Sequence, residues 1–175
     1  KLLGTDAARL TGELGDLQAP GKTLFLPYLG GERTPLNSAT VRGAFTGLEH
    51  ATDRKAATRA VLEGVTYAIR DSRDALAATG TKLENLLAVG GGSKSDYWLK
   101  LIATALDCPV QLPVAGDFGG AFGAARLGLM AATGAGAEIA TLPPIARTID
   151  PDPSLKDAFD AGHHRFRAAQ TAIKD

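Results

Sequence analysis

Leu86-Leu87-Ala88-Val89-Gly90-Gly91-Gly92-Ser93-Lys94-Ser95-Asp96 carries an apolar run through three glycines into the start of a helical pattern. The run is short and bounded, as in a buried parallel strand. Three residues without a Cβ let the backbone bend tightly and come close to a flat or anionic ligand. Ser93 or Ser95 is placed to cap the following helix. The free N–H groups at that helix start point back toward the glycines, where the helix dipole favours negative charge. Such a turn either holds a nucleotide or is a tight bend with no ligand, and the stretch alone leaves both open. It is not a P-loop, because Lys94 follows Ser93 in too short a loop for Gly-x-x-x-x-Gly-Lys-Ser/Thr. Nor is it a dinucleotide fingerprint, because Gly-x-Gly-x-x-Gly counted from Gly90 puts Ser95 at the third glycine.

Downstream, Leu99, Ile102, Ala103 and Leu106 recur at helical spacing, and Pro109-Val110-Gln111-Leu112 predicts a short strand. Tyr97 and Trp98 are either core residues or the lining of a ligand site. A helix is expected from about Asp117 to Ala132, its Gly120, Gly123, Ala124, Ala125 and Gly128 letting it lie close to a neighbour. Residues 136–152 read as a Gly-, Ala- and Pro-rich linker. Residues 153–175 read as a terminal helix packed on the same domain through Leu155, Phe159, Phe166, Ala169 and Ile173, with Gly162 a gap on that side.

Upstream, Thr52 or Asp53 starts the longest helix, which ends near Thr79-Gly80. Ala57, Ala60, Val61, Gly64, Val65, Ala68 and Ile69 mark its buried face, while Arg54, Arg59, Glu63, Arg70 and Arg73 read as a solvated one. Leu24-Phe25-Leu26 predicts a short strand and Gly43 to Leu48 an extended stretch. The loop between them holds Glu32-Arg33, a buried brace or a ligand contact. Asp6 or Thr5 caps a short helix through Leu10. Strands alternating with helices predict an α/β domain with at least partly parallel strands.

The 175 residues suffice for one ordinary domain, and 19 Lys plus Arg against 19 Asp plus Glu leave no charge that would favour nucleic acid or an anionic membrane. A lone cysteine, Cys108, excludes disulfide scaffolds and cysteine zinc sites and fits a reducing cytoplasm. No apolar run approaches the roughly 20 residues of a membrane span. His163 and His164 are adjacent and face different sides of a helix, so they form no metal pair. With His50 the only other histidine, no Ser-His-Asp set is recognisable. Glu32, Asp71 and Asp117 read as structural carboxylates, and neither a catalytic nor a metal-binding residue is expected. Lys1-Leu2-Leu3-Gly4 reads as the tail of a helix stopped by Gly4, with no initiator Met, so a piece of a longer protein is expected.

Phe25-Leu26-Pro27-Tyr28-Leu29-Gly30-Gly31-Glu32-Arg33-Thr34-Pro35 resembles a motif of the pentulose kinases in the FGGY carbohydrate-kinase family. Arg42 to Leu48, with the helix from Ala60 to Asp71, resembles that family's C-terminal signature. Val89 to Ser95 resembles its adenine-side loop, and Ala121-Phe122-Gly123-Ala124-Ala125 its small-residue helix. The matches come in the family's order across residues 1–135, which are identified as an N-terminally incomplete nucleotide-binding C-terminal domain. The resemblance implies part of an actin-like, ribonuclease H-like ATPase domain. It implies ATP and Mg2+ as cofactors and transfer of the γ-phosphoryl group to a sugar hydroxyl. The Asp base and most sugar contacts would belong to the missing N-terminal part, so the fragment would be inactive alone.

Within the family, Glu32-Arg33-Thr34-Pro35 looks most like the members that act on D-xylulose, giving the 5-phosphate. Gluconate kinases carry another residue at the Thr34 position, and gluconate, ribulose or a non-kinase nucleotide-binding module are the alternatives. By the motif, Gly91 and Gly92 would lie against adenosine. Ser95 would cap the helix, contact nucleotide, or both. Asp96 stands where relatives place an Asn that reaches the adenine, so it could accept from the amino group but donate nothing while ionised. The helix tail around Lys1 to Leu3 would also come near nucleotide. The implied partners are nucleotide and sugar, with neither nucleic acid nor membrane, and a homodimer and a cytoplasmic location are further expectations.

Overall fold

The computed structural model describes residues 4–114 and 119–173. The expected helix tail at Lys1 to Leu3, and Asp117, expected to open a helix, lie outside the described residues.

A short helix α1 (Ala7–Gly12) is capped by Asp6, whose carboxylate accepts the Arg9 N–H at 2.9 Å. Strands β1 (Leu24–Leu26) and β2 (Ala44–Thr46) form an antiparallel pair in which Phe25 faces Phe45 with ring centroids 4.7 Å apart. Against β1 lies α2 (Arg54–Ala78), capped by Asp53 and stopped at Thr79-Gly80, where Gly80 adopts φ +90°. The approach is so close that a Cβ on Gly64 would sit 1.9 Å from the Phe25 carbonyl oxygen.

The solvated face expected for α2 holds at Arg54 but not beyond the first turn. Glu63 is 1% exposed, and Thr58, Leu62, Thr66, Tyr67 and Asp71 are buried beside Ala60 and Gly64, while Ile69, expected inside, is exposed. Beyond that turn the helix is enclosed by β1 and by neighbouring helices, so Arg59, Glu63, Arg70 and Arg73 find backbone partners. Arg70 donates to the Ala105 carbonyl at 3.0 Å and Arg73 to the Leu106 carbonyl at 2.9 Å. Those are the last carbonyls of α3 (Asp96–Leu106), which the helix itself leaves unsatisfied and which favour a cation.

A three-stranded sheet runs in the order β3 (Leu86–Leu87), β4 (Val110–Pro113), β5 (Ile145–Ile149). Strands β3 and β4 are parallel and joined through α3; β5 is antiparallel to β4. The partly parallel α/β arrangement is therefore present, with two differences. The glycine-loop strand is an edge strand, with Leu87 41% and Val89 48% exposed, because β4 is its one partner among the described residues. Residues 136–152, read as linker, contain β5. Its Ile145-Ala146-Arg147-Thr148-Ile149 is rich in β-branched residues, a strand signal that the flanking Gly, Ala and Pro residues obscured.

Helix α4 (Gly119–Thr133) also departs from expectation. None of its residues is buried, and a Cβ on Gly120, Gly123 or Gly128 would meet nothing within 4 Å, so the small residues serve no close approach among the described residues. Helix α5 (Lys156–Ala172) packs on the core through Phe159 and Phe166, with Leu26, Tyr28, Tyr67 and Leu101. A Cβ on Gly162 would lie 2.1 Å from the Tyr67 hydroxyl, the gap read from the sequence. The two histidines separate as expected: His163 is buried and His164 exposed. His163 Nε2 lies 2.8 Å from Asp71 Oδ1, and the Gln170 amide donates to Asp71 Oδ2 at 3.2 Å and to the Tyr28 hydroxyl at 2.6 Å. This polar cluster ties α5 to α2 and gives Asp71 the structural place assigned to it.

Candidate functional site

The glycine loop is built by local forces. Gly90 takes φ +80°, which Gly occupies at little cost, and residues Gly91–Lys94 make one tight 3-10 turn. Ser93 ties the turn down by donating to the Gly90 carbonyl at 2.7 Å. Ser95 is the cap, its hydroxyl accepting the Trp98 N–H at 3.3 Å as α3 begins.

Between this turn, the start of α3 and the helix α1 lies a cavity of about 770 Å³. All four residues singled out in the sequence, Gly91, Gly92, Ser95 and Asp96, line it. Gly91 leaves open space where a Cβ would be. Gly92 does something else: a Cβ there would lie 2.7 Å from the Trp98 ring, so this glycine makes room for Trp98. Trp98 is itself held by its indole N–H, which donates to the Thr66 hydroxyl at 3.1 Å. Tyr97 and Trp98 therefore belong both to the core surroundings and to the cavity wall, and burial pushes the Tyr97 phenol above its usual pKa.

Asp96 is not alone at the cavity mouth. The two terminal nitrogens of Arg147 on β5 meet its two carboxylate oxygens, Nη1 to Oδ2 at 3.3 Å and Nη2 to Oδ1. The Arg147 guanidinium holds the Asp96 carboxyl below the usual carboxylate range, and Asp96 in turn raises Arg147. Side-chain exposures of 69% and 49% make this a pair open to solvent.

Sequence reasoning missed three features of the site, two in the cavity wall and one behind it. One is α1, whose Ala7, Ala8 and Thr11 form the opposite wall, a place assigned instead to the preceding tail. Another is Leu62 on α2. The third is Arg147, 51 residues from its partner and hidden in the apparent linker. The expected brace at Glu32-Arg33 is absent: Arg33 is exposed with no ion pair among the described residues. Glu32 instead closes its own loop, its carboxylate accepting the Thr34 N–H at 2.8 Å while its backbone pairs with Ser38. Among the described residues, no three His, Cys, Asp or Glu side chains are grouped to hold a metal, and no helix is long and apolar enough to cross a membrane.

Residues 6–132 match the model of the FGGY family of carbohydrate kinases, C-terminal domain. A xylulose kinase of Escherichia coli is 39% identical over 145 residues, which cover 82% of this chain and 30% of that protein. One from Klebsiella pneumoniae is 42% identical over 110 residues, 63% of this chain and 23% of that protein. The solved structure of a "xyloylose kinase" from Brucella ovis superposes with TM-score 0.89 at 56% identity, covering 98% of this chain and 37% of that one. The chain thus spans about a third or less of the length of these relatives. The architecture is that of the FGGY sugar kinases, part of an actin-like ATPase fold.

Proposed function

The chain belongs to the FGGY family of carbohydrate kinases through its C-terminal domain, and from that membership we propose that it forms the adenosine-binding wall of an ATP-dependent sugar kinase. The substrate in this reading is D-xylulose, phosphorylated at its 5-hydroxyl. The observation that carries the nucleotide part is the convergence of Gly91, Gly92, Ser95 and Asp96 on one cavity, with open space beside the Gly91 backbone. A volume of about 770 Å³ accommodates a base and ribose with room to spare. Gly91 would let the flat purine and sugar lie against the main chain, and Asp96 would accept from the adenine 6-amino group. Ser95 and the start of α3 would support the loop.

ATP supplies the transferable γ-phosphoryl group, and catalysis of such a transfer is mainly positioning and charge neutralisation. What this chain contributes is positioning: it fixes the adenosine end, so that the triphosphate is aimed. No group in the cavity is assigned as the base that takes the sugar proton, and the fragment alone is expected to be inactive. The described residues bring together no dedicated magnesium cage, and Mg2+ held with nucleotide is bound largely through phosphate oxygens and water. The reading also includes a cytoplasmic homodimer, for which light scattering of the full-length protein is the measurement.

Gly91→Val in the full-length protein is the test of the nucleotide wall. A Cβ at Gly91 would meet no protein atom within 4 Å, whereas one at Gly92 would strike Trp98, so Gly91 is the position to substitute. The KM for ATP is expected to rise about tenfold or more, the equivalent of ~1.4 kcal/mol, with the sugar KM changed less than about twofold. An unchanged ATP KM removes the loop from the site. The same assay run with D-xylulose, L-ribulose, D-gluconate and glycerol tests the substrate. Preference for another polyol moves the substrate, and turnover with none of them favours a nucleotide-binding module without kinase activity.

A further inference from the structure

We propose that Arg147 sets the base specificity of the cavity through Asp96, an inference that rests on the adenosine reading above. The guanidinium meets the carboxylate end-on, one terminal nitrogen to each oxygen. A carboxylate so held has given up its two facing lone pairs and keeps only the outer ones. Asp96 then offers the cavity single acceptors. That suits an adenine 6-amino group, whose two N–H bonds point apart so that one of them takes one acceptor.

Guanine makes a different demand. Its N1–H and 2-amino group are two neighbouring donors, set like the fork of a guanidinium, and an unclamped carboxylate would take both at once. At the 6-position guanine carries an acceptor oxygen, which an ionised carboxylate repels. Arg147 occupies the end of Asp96 that guanine would need. It lies on β5, outside the residues that line the cavity, so it acts through Asp96 and is a positioning residue. Lysine could not replace it, because an ammonium is a point charge without a planar fork.

The fold does not depend on this pair. Both side chains are about half exposed or more, where ion pairs contribute little to stability. Strand β5 is held separately by its ladder with β4, and the Lys100 ammonium donates to the Asp150 carbonyl at 2.9 Å beyond its end.

The test is kcat/KM for ATP and for GTP, at saturating sugar, in the full-length protein and in Arg147→Met, Arg147→Lys and Gly91→Val. The parent should favour ATP. Arg147→Met should raise the GTP-to-ATP ratio of kcat/KM about tenfold or more, chiefly through KM, with kcat for ATP little changed. Arg147→Lys should fail to restore the parent ratio. A ratio unmoved in Arg147→Met, while Gly91→Val still raises the ATP KM, overturns the role of Arg147 and leaves the nucleotide site standing. Full restoration by Lys overturns the fork in favour of simple charge. If Gly91→Val also leaves the ATP KM unchanged, the adenosine reading falls and this inference falls with it.

Discussion

Gly64→Ala adds one methyl group at the tightest crossing in the fold. That methyl would stand 1.9 Å from the Phe25 carbonyl oxygen and 2.9 Å from its carbon. Ordinary contact begins near 3.4 Å, so α2 and β1 must separate by about 1.5 Å in an interior packed as densely as a crystal. The obstacle is backbone, and it cannot rotate aside as a side chain would. Strand β1 is also pinned by its pairing with β2, Phe25 opposite Phe45.

Two effects oppose each other. Alanine is a better helix former than glycine by about 1 kcal/mol. Overpacking costs typically about 1–3 kcal/mol, and an overlap with main chain belongs at or beyond the top of that range. The net expectation is a loss of about 2 kcal/mol or more, which in a chain of this size lowers Tm by about 4–8 °C. Urea unfolding followed by fluorescence suits the measurement, because Trp98 is the one tryptophan and is bonded to Thr66 on α2. Gly128→Ala is the control: its Cβ would meet nothing, on an exposed helix, and a gain of about 0.5–1 kcal/mol is expected. If Gly64→Ala is as stable as the parent, or shifts no more adversely than Gly128→Ala, the helix does not lie on β1 as described.

Two further outcomes concern buried polar groups. Asp71→Ala leaves His163 and Gln170 buried without their carboxylate, and leaving buried hydrogen-bonding groups unpaired is expected to cost about 1–3 kcal/mol; hydrogen exchange should show α5 losing protection first, and uniform protection would refute the latch. Glu63 is raised above its ordinary pKa by burial, in spite of Arg59 and the Gly21 N–H. A raised folded pKa gives a contribution present below the unfolded value of 4.5 and lost as pH rises through the folded one. The stability of Glu63→Gln relative to the parent should therefore grow between pH 4 and pH 7, and a pH-independent difference in urea midpoints would contradict the assignment.

Much of this was legible wherever a local pattern carried the signal. Asp53, Gly80, Ser95 and the Gly162 gap are cap or packing requirements confined to a few neighbouring residues, and each is where the sequence put it. The four loop residues line one cavity because the chain runs directly from strand through glycines into helix. What failed was whatever depends on which faces are covered. Periodicity divides α2 into apolar and charged sides, but it cannot say that neighbours close on both, or that Arg70 and Arg73 end on the carbonyls of α3. The small residues of α4 state that close approach is allowed, and no described neighbour uses it.

Asp96 shows the same gap at the candidate site. Taken from the loop alone, an Asp where the resemblance leads one to expect an amide reads as a loss: it keeps an acceptor, drops a donor, and sets a negative charge beside the proposed nucleotide. At the first residue of α3 the helix dipole favours that charge, but only by some 0.3–1 kcal/mol. A second compensation comes from Arg147, whose two terminal nitrogens meet the two carboxylate oxygens from a strand 51 residues away. The departure and its remedy are a pair, and only one of the two lies within the motif. A substitution in a binding loop is therefore better judged by what the sheet behind it supplies than by its distance from the family pattern. In the proposed reading the sheet supplies a guanidinium that leaves the Asp96 carboxylate only its outer acceptors to offer the cavity.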